Sequence, residues 1–259
     1  MTRLAANLSM LFTELPFMER FGAAARNGFR GVEFLFPYPY HVAELRDQLS
    51  LYQLDLVLFN LPAGNWEAGE RGIACHLDRI DEFRDGIEDA VRYAKALGVR
   101  QVNCLAGIVP PGVSVEDARA TFVFNLRHAA DALKAAGLRL LIEPINRFDI
   151  PGFLLNTSAQ ALDIIEATGS DNIWLQYDIY HMQRMEGELA STLQKHLARI
   201  AHVQIADNPG RFEPGTGEIN YRFLFDWLQT IGYEGWIGCE YKPRNGTVPG
   251  LEWRSAHGL

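Results

Sequence analysis

Residues 130–144 read ADALKAAGLRLLIEP. Their first half is the tail of an amphipathic segment, Ala118 to Ala135, whose apolar side chains recur at helical spacing. Ala136-Gly137 closes that segment with a residue that tolerates left-handed backbone. Leu138 to Glu143 then runs short and apolar, as a parallel strand buried on both faces must. The run ends on a carboxylate, Glu143, immediately before Pro144. Helix, stop, buried strand and terminal acid lie within fifteen residues.

The same unit recurs along the chain. Short apolar runs occur at Leu4 to Leu8, Gly31 to Phe36, Leu54 to Asn60, Gln101 to Leu105, Ile173 to Asp178, Ala201 to Ala206 and Trp236 to Glu240. Longer amphipathic stretches such as Phe83 to Leu97 separate them. Asn27-Gly28, Leu97-Gly98 and Ile231-Gly232 close helices, while Asp78 or Asp81, Ser114 and Ser158 suit helix starts. Eight strands alternating strictly with eight helices predict an α/β chain closed into a (β/α)₈ TIM barrel. Such a barrel takes about 250 residues in one domain, and the chain has 259. No linker or compositional break divides it, so one domain spanning 1–259 is expected. An open doubly wound sheet would carry a glycine-rich phosphate loop, and neither GxGxxG nor GxxxxGK[ST] occurs. The longest connection, Asn60 to His76, follows the third strand on the face where barrel active sites are built, and its length suits a lid.

Composition excludes several function classes. A net charge of −8 disfavours nucleic acid as a partner, because phosphate contacts demand clustered Lys and Arg. A small anionic substrate stays open, since a few local cations override the global field. Cys75, Cys104 and Cys239 are odd in number and form no CxxC pair, which fits a reduced, cytoplasmic protein. No charged-then-apolar leader and no apolar run of about 18 residues is present, so no membrane partner is expected. A homo-oligomer is compatible with this kind of barrel, and no interface stripe is identifiable.

Chemistry concentrates at strand ends. Glu143, Asp178 and Glu240 each follow apolar residues at the end of a different strand, and Gln204 lies in the seventh. Barrel closure brings all four to one end of the pore. Converging buried carboxylates repel unless a cation joins them. Oxygen donors from Glu, Asp and Gln suit Mg²⁺ or Mn²⁺ better than a soft metal. The plainer alternative pairs each acid separately with a cation such as Arg147 or Lys242. His181, three residues beyond Asp178, either hydrogen-bonds substrate, orients or ligates a metal, or is simply a satisfied polar residue at a helix start. His202 shares strand parity with Gln204 but lies deeper, which favours a core role. Arg71, Arg211 and Lys242 are the candidate cations for a substrate carboxylate.

At these residues the sequence resembles the hydroxypyruvate isomerase family of the xylose-isomerase-like barrels, from Asn7 to Trp253. The resemblance is carried by FRGVEFLFPY, NLPAGNWEAGERGIAC, IEPINRFDIPGF, QYDIYHMQRMEGEL, HVQIADNPGR, EPGTGEINY and GCEYKP. It implies a metal held by Glu143, Asp178, Gln204 and Glu240, with Glu143 and Glu240 doubling as acid and base. Related ketose epimerases usually carry His where this chain has Gln204, so the set here is all oxygen. The implied reaction converts hydroxypyruvate to tartronate semialdehyde through an enediolate, on a small sugar-acid substrate. The other readings are a 2-oxo-tetronate isomerase, a ketose 3-epimerase and a multi-zinc nuclease of the same superfamily, this last disfavoured by few strand-end histidines and the negative charge. A metabolite-binding barrel without chemistry is the non-enzyme alternative.

Overall fold

Each short apolar run pairs in parallel with its neighbours in sequence, and the last closes on the first. In the computed structural model, which describes residues 2–258, the strands are β1 (Arg3–Asn7), β2 (Gly31–Glu33), β3 (Asp55–Asn60), β4 (Gln101–Cys104), β5 (Arg139–Ile142), β6 (Ile173–Asp178), β7 (Ile200–Ile205) and β8 (Trp236–Cys239). Helices α1 (Phe17–Arg26), α2 (Val42–Tyr52), α3 (Ile80–Leu97), α4 (Val115–Ala135) and α5 (Ser158–Thr168) follow the first five strands. Two short helices, α6 (Ile179–Met185) and α7 (Leu189–His196), follow β6. Then α8 (Tyr221–Thr230) follows β7, and a single turn, α9 (Trp253–Ala256), lies beyond β8. The closed (β/α)₈ barrel expected from the repeat is therefore present. Among the described residues no helix is long and apolar enough to cross a membrane.

The alternation is less strict than the repeat predicts. The segment after β6 breaks at Gly187, whose φ of +67° ends one helix before the next begins. The helix after β8 is reduced to one turn. Two helix starts also move. Thr157, not Ser158, caps α5: its side chain accepts from the Gln160 N–H and Gln160 reaches back, a reciprocal capping box. Ser158 instead donates its N–H and hydroxyl to Glu186. At α3 a 3₁₀ turn, Leu77–Arg79, precedes the helix, and neither Asp78 nor Asp81 caps it. Arg79 holds the corner by bridging Glu70 and Glu82. Ser114 caps α4 as expected, its hydroxyl accepting from the Asp117 N–H at 3.0 Å.

Two apolar layers hold the barrel. Between sheet and helices runs one continuous core that includes Phe21, Leu45, Phe59, Phe122, Leu126, Leu140 and Leu175. Burying each such side chain contributes about 1.5–3 kcal/mol, an upper figure. Inside the strands a small plug of Ala5, Val57, Leu58 and Leu141 closes the N-terminal end, with Trp174 and Trp236 packed against it. A methyl at Gly31 would lie 2.6 Å from the Trp236 ring, so β2 yields its own side chain to that indole. Toward the C-terminal end the inward positions turn polar: Asn7, Glu33, Asn60, Asn103, Gln176, His202 and Gln204 are all buried. Register shifts fall between Val32 and Glu33 and between Leu175 and Gln176. Both irregularities sit just before a polar side chain of this layer, as bulges that re-aim a side chain do.

Candidate active site

A cavity of about 680 Å³ opens at the C-terminal end of the strands. Glu143, Gln204, Glu240, Arg71, His181, Arg211 and Lys242 line it. Asp178 is fully buried and reaches the site from the end of β6. All eight residues singled out from sequence are thus brought to one place.

The strand ends position the acids. Asp178 is both the last residue of β6 and the cap of α6: its Oδ1 accepts from the N–H of Tyr180 at 2.8 Å and of His181 at 3.4 Å. Its Oδ2 is buried and has no hydrogen-bond partner among the described residues. That oxygen lies 3.6 Å from His181 Nε2 and 3.9 Å from Arg211 Nη2. Glu143, one residue past β5, places Oε2 at 3.2 Å from Asn103 Nδ2, which donates, and Oε1 at 3.8 Å from His181 Nε2. Glu240, one residue past β8, lies 3.4 Å from Arg211 Nη2. The cation that answers these acids is therefore Arg211. Arg147 stacks on the exposed Phe148 instead, and Lys242 makes no ion pair among the described residues.

All three acids are raised above the usual carboxylate range. Burial pushes Glu240 up to about 8, with Asp178 and Glu33 adding to the rise and Arg211 opposing it. Burial pushes Asp178 up to about 6, opposed by Arg211 and the two cap N–H groups. Glu143 lies well above the usual carboxylate range, through burial first and then the charges of Glu240 and Asp178. Donor atoms of Glu143, Asp178 and His181 all lie within 4.8 Å of one another. An orphaned buried carboxylate oxygen beside crowded acids is what a divalent cation relieves, so the site fits one.

Gln204 shares the cavity but is held from below. Its Nε2 donates to Glu33 Oε1 at 2.8 Å, and its Oε1 accepts from Gln176 Nε2 at 2.6 Å. Glu33 also pairs with His202 Nε2 at 2.7 Å and accepts from Asn7 Nδ2 at 3.1 Å. His202 is thus a partner of the cavity floor. Any side chain at Gly238 would overlap the Glu33 carboxylate, so β8 leaves room for that acid. Sequence reading overlooked Glu33, although a charged residue inside the apolar run GVEF carries the same signal as Glu143. It also overlooked the wall formed by Asp149, Tyr180 and Arg184, with Asn146 bonded behind Asp149 in an Asn-x-x-Asp spacing that suits a side-chain-braced turn.

The long connection after β3 forms the opposite wall. Arg71 stacks over Trp66 at 4.1 Å and donates from Nη1 to the carbonyls of Trp66 and Glu70. Gly72 N–H bonds the Ala63 carbonyl at 3.0 Å, and Glu70 accepts from Asn65 N–H and pairs with Arg79. The loop is braced against itself while it presents Trp66 and Arg71 to the cavity.

A parallel barrel with strand-end carboxylates around one cation-fitting cavity defines the class to which the comparisons point. The family model for the xylose isomerase-like TIM barrel matches residues 21–257. The chain is 56% identical over 253 residues to a hydroxypyruvate isomerase of Escherichia coli K12, covering 98% of both chains. It is 47% identical over 253 residues to a 2-oxo-tetronate isomerase of Cupriavidus necator, covering 98% of this chain and 97% of that one. A crystal structure described as an AP endonuclease, family 2, from Brucella melitensis superposes with a TM-score of 0.96 at 43% identity, covering 99% of each chain. The chain belongs to the xylose isomerase-like TIM barrel family, and it is an enzyme of the isomerase class.

Proposed function

We propose that the enzyme interconverts hydroxypyruvate and tartronate semialdehyde, with Glu143 and Glu240 as the acid–base pair. The observation that carries this reading is two buried glutamates, from β5 and β8, on one cavity, both raised above the usual carboxylate range and Glu240 to about 8. A carboxyl group exchanges protons most effectively when its pKa lies near the working pH. In the forward direction one glutamate removes a proton from the hydroxymethyl carbon. The electron pair forms the carbon–carbon double bond of an enediolate, and the ketone oxygen takes up the negative charge. The other glutamate then delivers a proton to the former ketone carbon, while the hydroxyl proton passes to the former ketone oxygen, leaving the aldehyde at one carbon and a hydroxyl at the other. No net redox change and no co-reactant are required.

Glu143, Asp178, Gln204 and Glu240 would hold Mg²⁺ or Mn²⁺, and such an ion supplies Lewis-acid stabilisation of negative charge on the substrate oxygens. Arg71, Arg211 and Lys242 supply the cations for the substrate carboxylate, Arg by a bidentate fork and Lys by a point charge. His181 faces the same space and contacts a substrate oxygen. A cavity of about 680 Å³ also has room for a longer acid, so a four-carbon 2-oxo-tetronate is the second substrate to assay. The deciding experiment is NMR of the protein with hydroxypyruvate in D₂O, with EDTA and then with Mg²⁺. Cation-dependent tartronate semialdehyde carrying deuterium, lost in Glu143→Gln and Glu240→Gln, is expected. Absence of both turnover and exchange rejects hydroxypyruvate as substrate.

A further inference from the structure

His181 stands closest to the two acids Glu143 and Asp178, and which of its nitrogens carries the proton decides what it can do there. A bare nitrogen binds a cation; a protonated one donates a hydrogen bond. The structure answers this through Asn146, which is fully buried. Its Oδ1 accepts two backbone N–H groups, from Phe148 at 3.1 Å and Asp149 at 2.9 Å. An amide held by two such donors cannot be turned over, so Nδ2 is the group on the other side. One Nδ2 proton goes to Asp149 Oδ2 at 3.0 Å. The other points at His181 Nδ1, 2.7 Å away. The Asn146 backbone N–H is aimed at the same nitrogen from 3.5 Å. Nδ1 faces donors alone and must accept.

An imidazole whose Nδ1 accepts is neutral, with its single proton on Nε2. Nε2 looks into the cavity, 3.8 Å from Glu143 Oε1 and 3.6 Å from Asp178 Oδ2, beyond hydrogen-bond distance of either. We propose that Asn146 is a positioning residue that locks His181 as a neutral Nε2–H donor, which serves a substrate oxygen and withdraws the imidazole from the cation's ligand set. The donor's target rests on the proposed reaction; the tautomer does not. As the substrate carbonyl oxygen gains charge, a fixed neutral donor stabilises it without reorganisation. The spatial cluster of Glu143, Asp178 and His181 is then a pair of carboxylate ligands with a hydrogen-bond donor beside them, and the remaining ligands are oxygens.

The test is two-bond ¹H–¹⁵N correlation of the full chain labelled at histidine, stripped with EDTA and then titrated with Mg²⁺. His181→Gln identifies the resonance among seven histidines. The expected pattern is the neutral Nε2–H tautomer, unchanged at saturating Mg²⁺. An Nδ1–H tautomer, an imidazolium, or displacement of the Nε2 proton by Mg²⁺ overturns the proposal. Asn146→Asp places an acceptor at Nδ1 and is expected to move the proton there, lowering kcat at least tenfold with KM little changed. Should Asn146→Asp not fold, Asn146→Ala removes the donor alone and is expected to give a mixed tautomer; an unaltered wild-type pattern in it overturns the lock. His181→Gln, which keeps an N–H donor, is expected to retain more activity than His181→Ala, and equal losses argue against a donor role. The spectra need no substrate, so failure to turn over hydroxypyruvate with the expected tautomer rejects the substrate reading alone.

Discussion

Removing divalent cations should make the stability of this enzyme fall as pH rises from about 5 to about 9. Glu240 carries the argument. Its pKa is raised from 4.5 to about 8 in the folded protein, first by burial. A carboxyl raised on folding favours the native state while it is protonated, fully so below its unfolded value. That contribution is lost as pH climbs through the folded value. The difference corresponds to roughly 5 kcal/mol between the two limits. For a chain of this size that is an apparent melting shift on the order of 10 °C. Asp178, raised to about 6, and Glu143 add losses of the same sign. His181, held low, loses stability in the opposite direction, as pH falls below its unfolded value. The assay is therefore comparative: melting in EDTA across pH 5–9 for wild type and Glu240→Gln, which stays neutral throughout. Wild type should lose stability relative to the variant as pH rises, and Mg²⁺ or Mn²⁺ should restore it most at the alkaline end. A wild-type curve parallel to that of Glu240→Gln refutes the reasoning, because the acid would then be ionised at little cost throughout.

Other substitutions probe separate links. Gly238→Ala drives a methyl into the Glu33 carboxylate; about 1–3 kcal/mol should be lost in thermal unfolding, with weaker cation affinity by calorimetry. Thr157→Ala removes the capping box of α5, whose residues do not line the cavity. It should cost about 1 kcal/mol in denaturant titration and leave kcat unchanged. Arg71→Lys keeps the charge but loses the planar stack on Trp66 and the fork. KM for the oxo acid should rise about tenfold with kcat nearly retained, and an unchanged KM would remove Arg71 from the substrate site.

The barrel was legible because its signal is repetition. Buried parallel strands must be short and apolar on both faces, so Leu138 to Glu143 and its counterparts stand out without any knowledge of contacts. The strand-end acids were legible for a related reason: a charge at the end of such a run needs an explanation, and closure supplies a common one. What remained hidden depends on the third dimension. Glu33 sits in a run that reads as plain strand, and its partners His202 and Gln204 are 169 and 171 residues away. Arg211 was legible as a candidate for a substrate carboxylate, but not as the counter-ion of the acids, where its side chain is only 18% exposed and lies within 4 Å of two of them. Ser158 and Thr157 are both good caps by residue type; only the reciprocal reach of Gln160 separates them.

The chain spends its apolar residues unevenly, and that unevenness explains how one barrel can be both stable and reactive. The shell between sheet and helices is continuous and apolar, whereas the lumen is apolar only at its N-terminal plug. Above the plug, polar side chains bond one another in a layer of amides and the Glu33–His202 pair, with Asn103 Oδ1, Gln176 Oε1 and His202 Nδ1 left without a partner among the described residues. This layer separates the plug from the acids and fixes the amide of Gln204. Asn146 plays the equivalent part on the wall, where backbone donors fix its own amide and it in turn fixes His181. Among the buried atoms of the described residues that lack a hydrogen-bond partner, Asp178 Oδ2 and Arg211 Nε lie at the acids themselves, where Glu143 and Glu240 crowd each other. These two are atoms that a cation and a substrate would contact, whereas the amide of Gln204 and that of Asn146 are each held by hydrogen bonds on both sides. A site organised this way is rigid where it must aim and unsatisfied where it must bind, which is the condition for stabilising charge that exists only during the reaction.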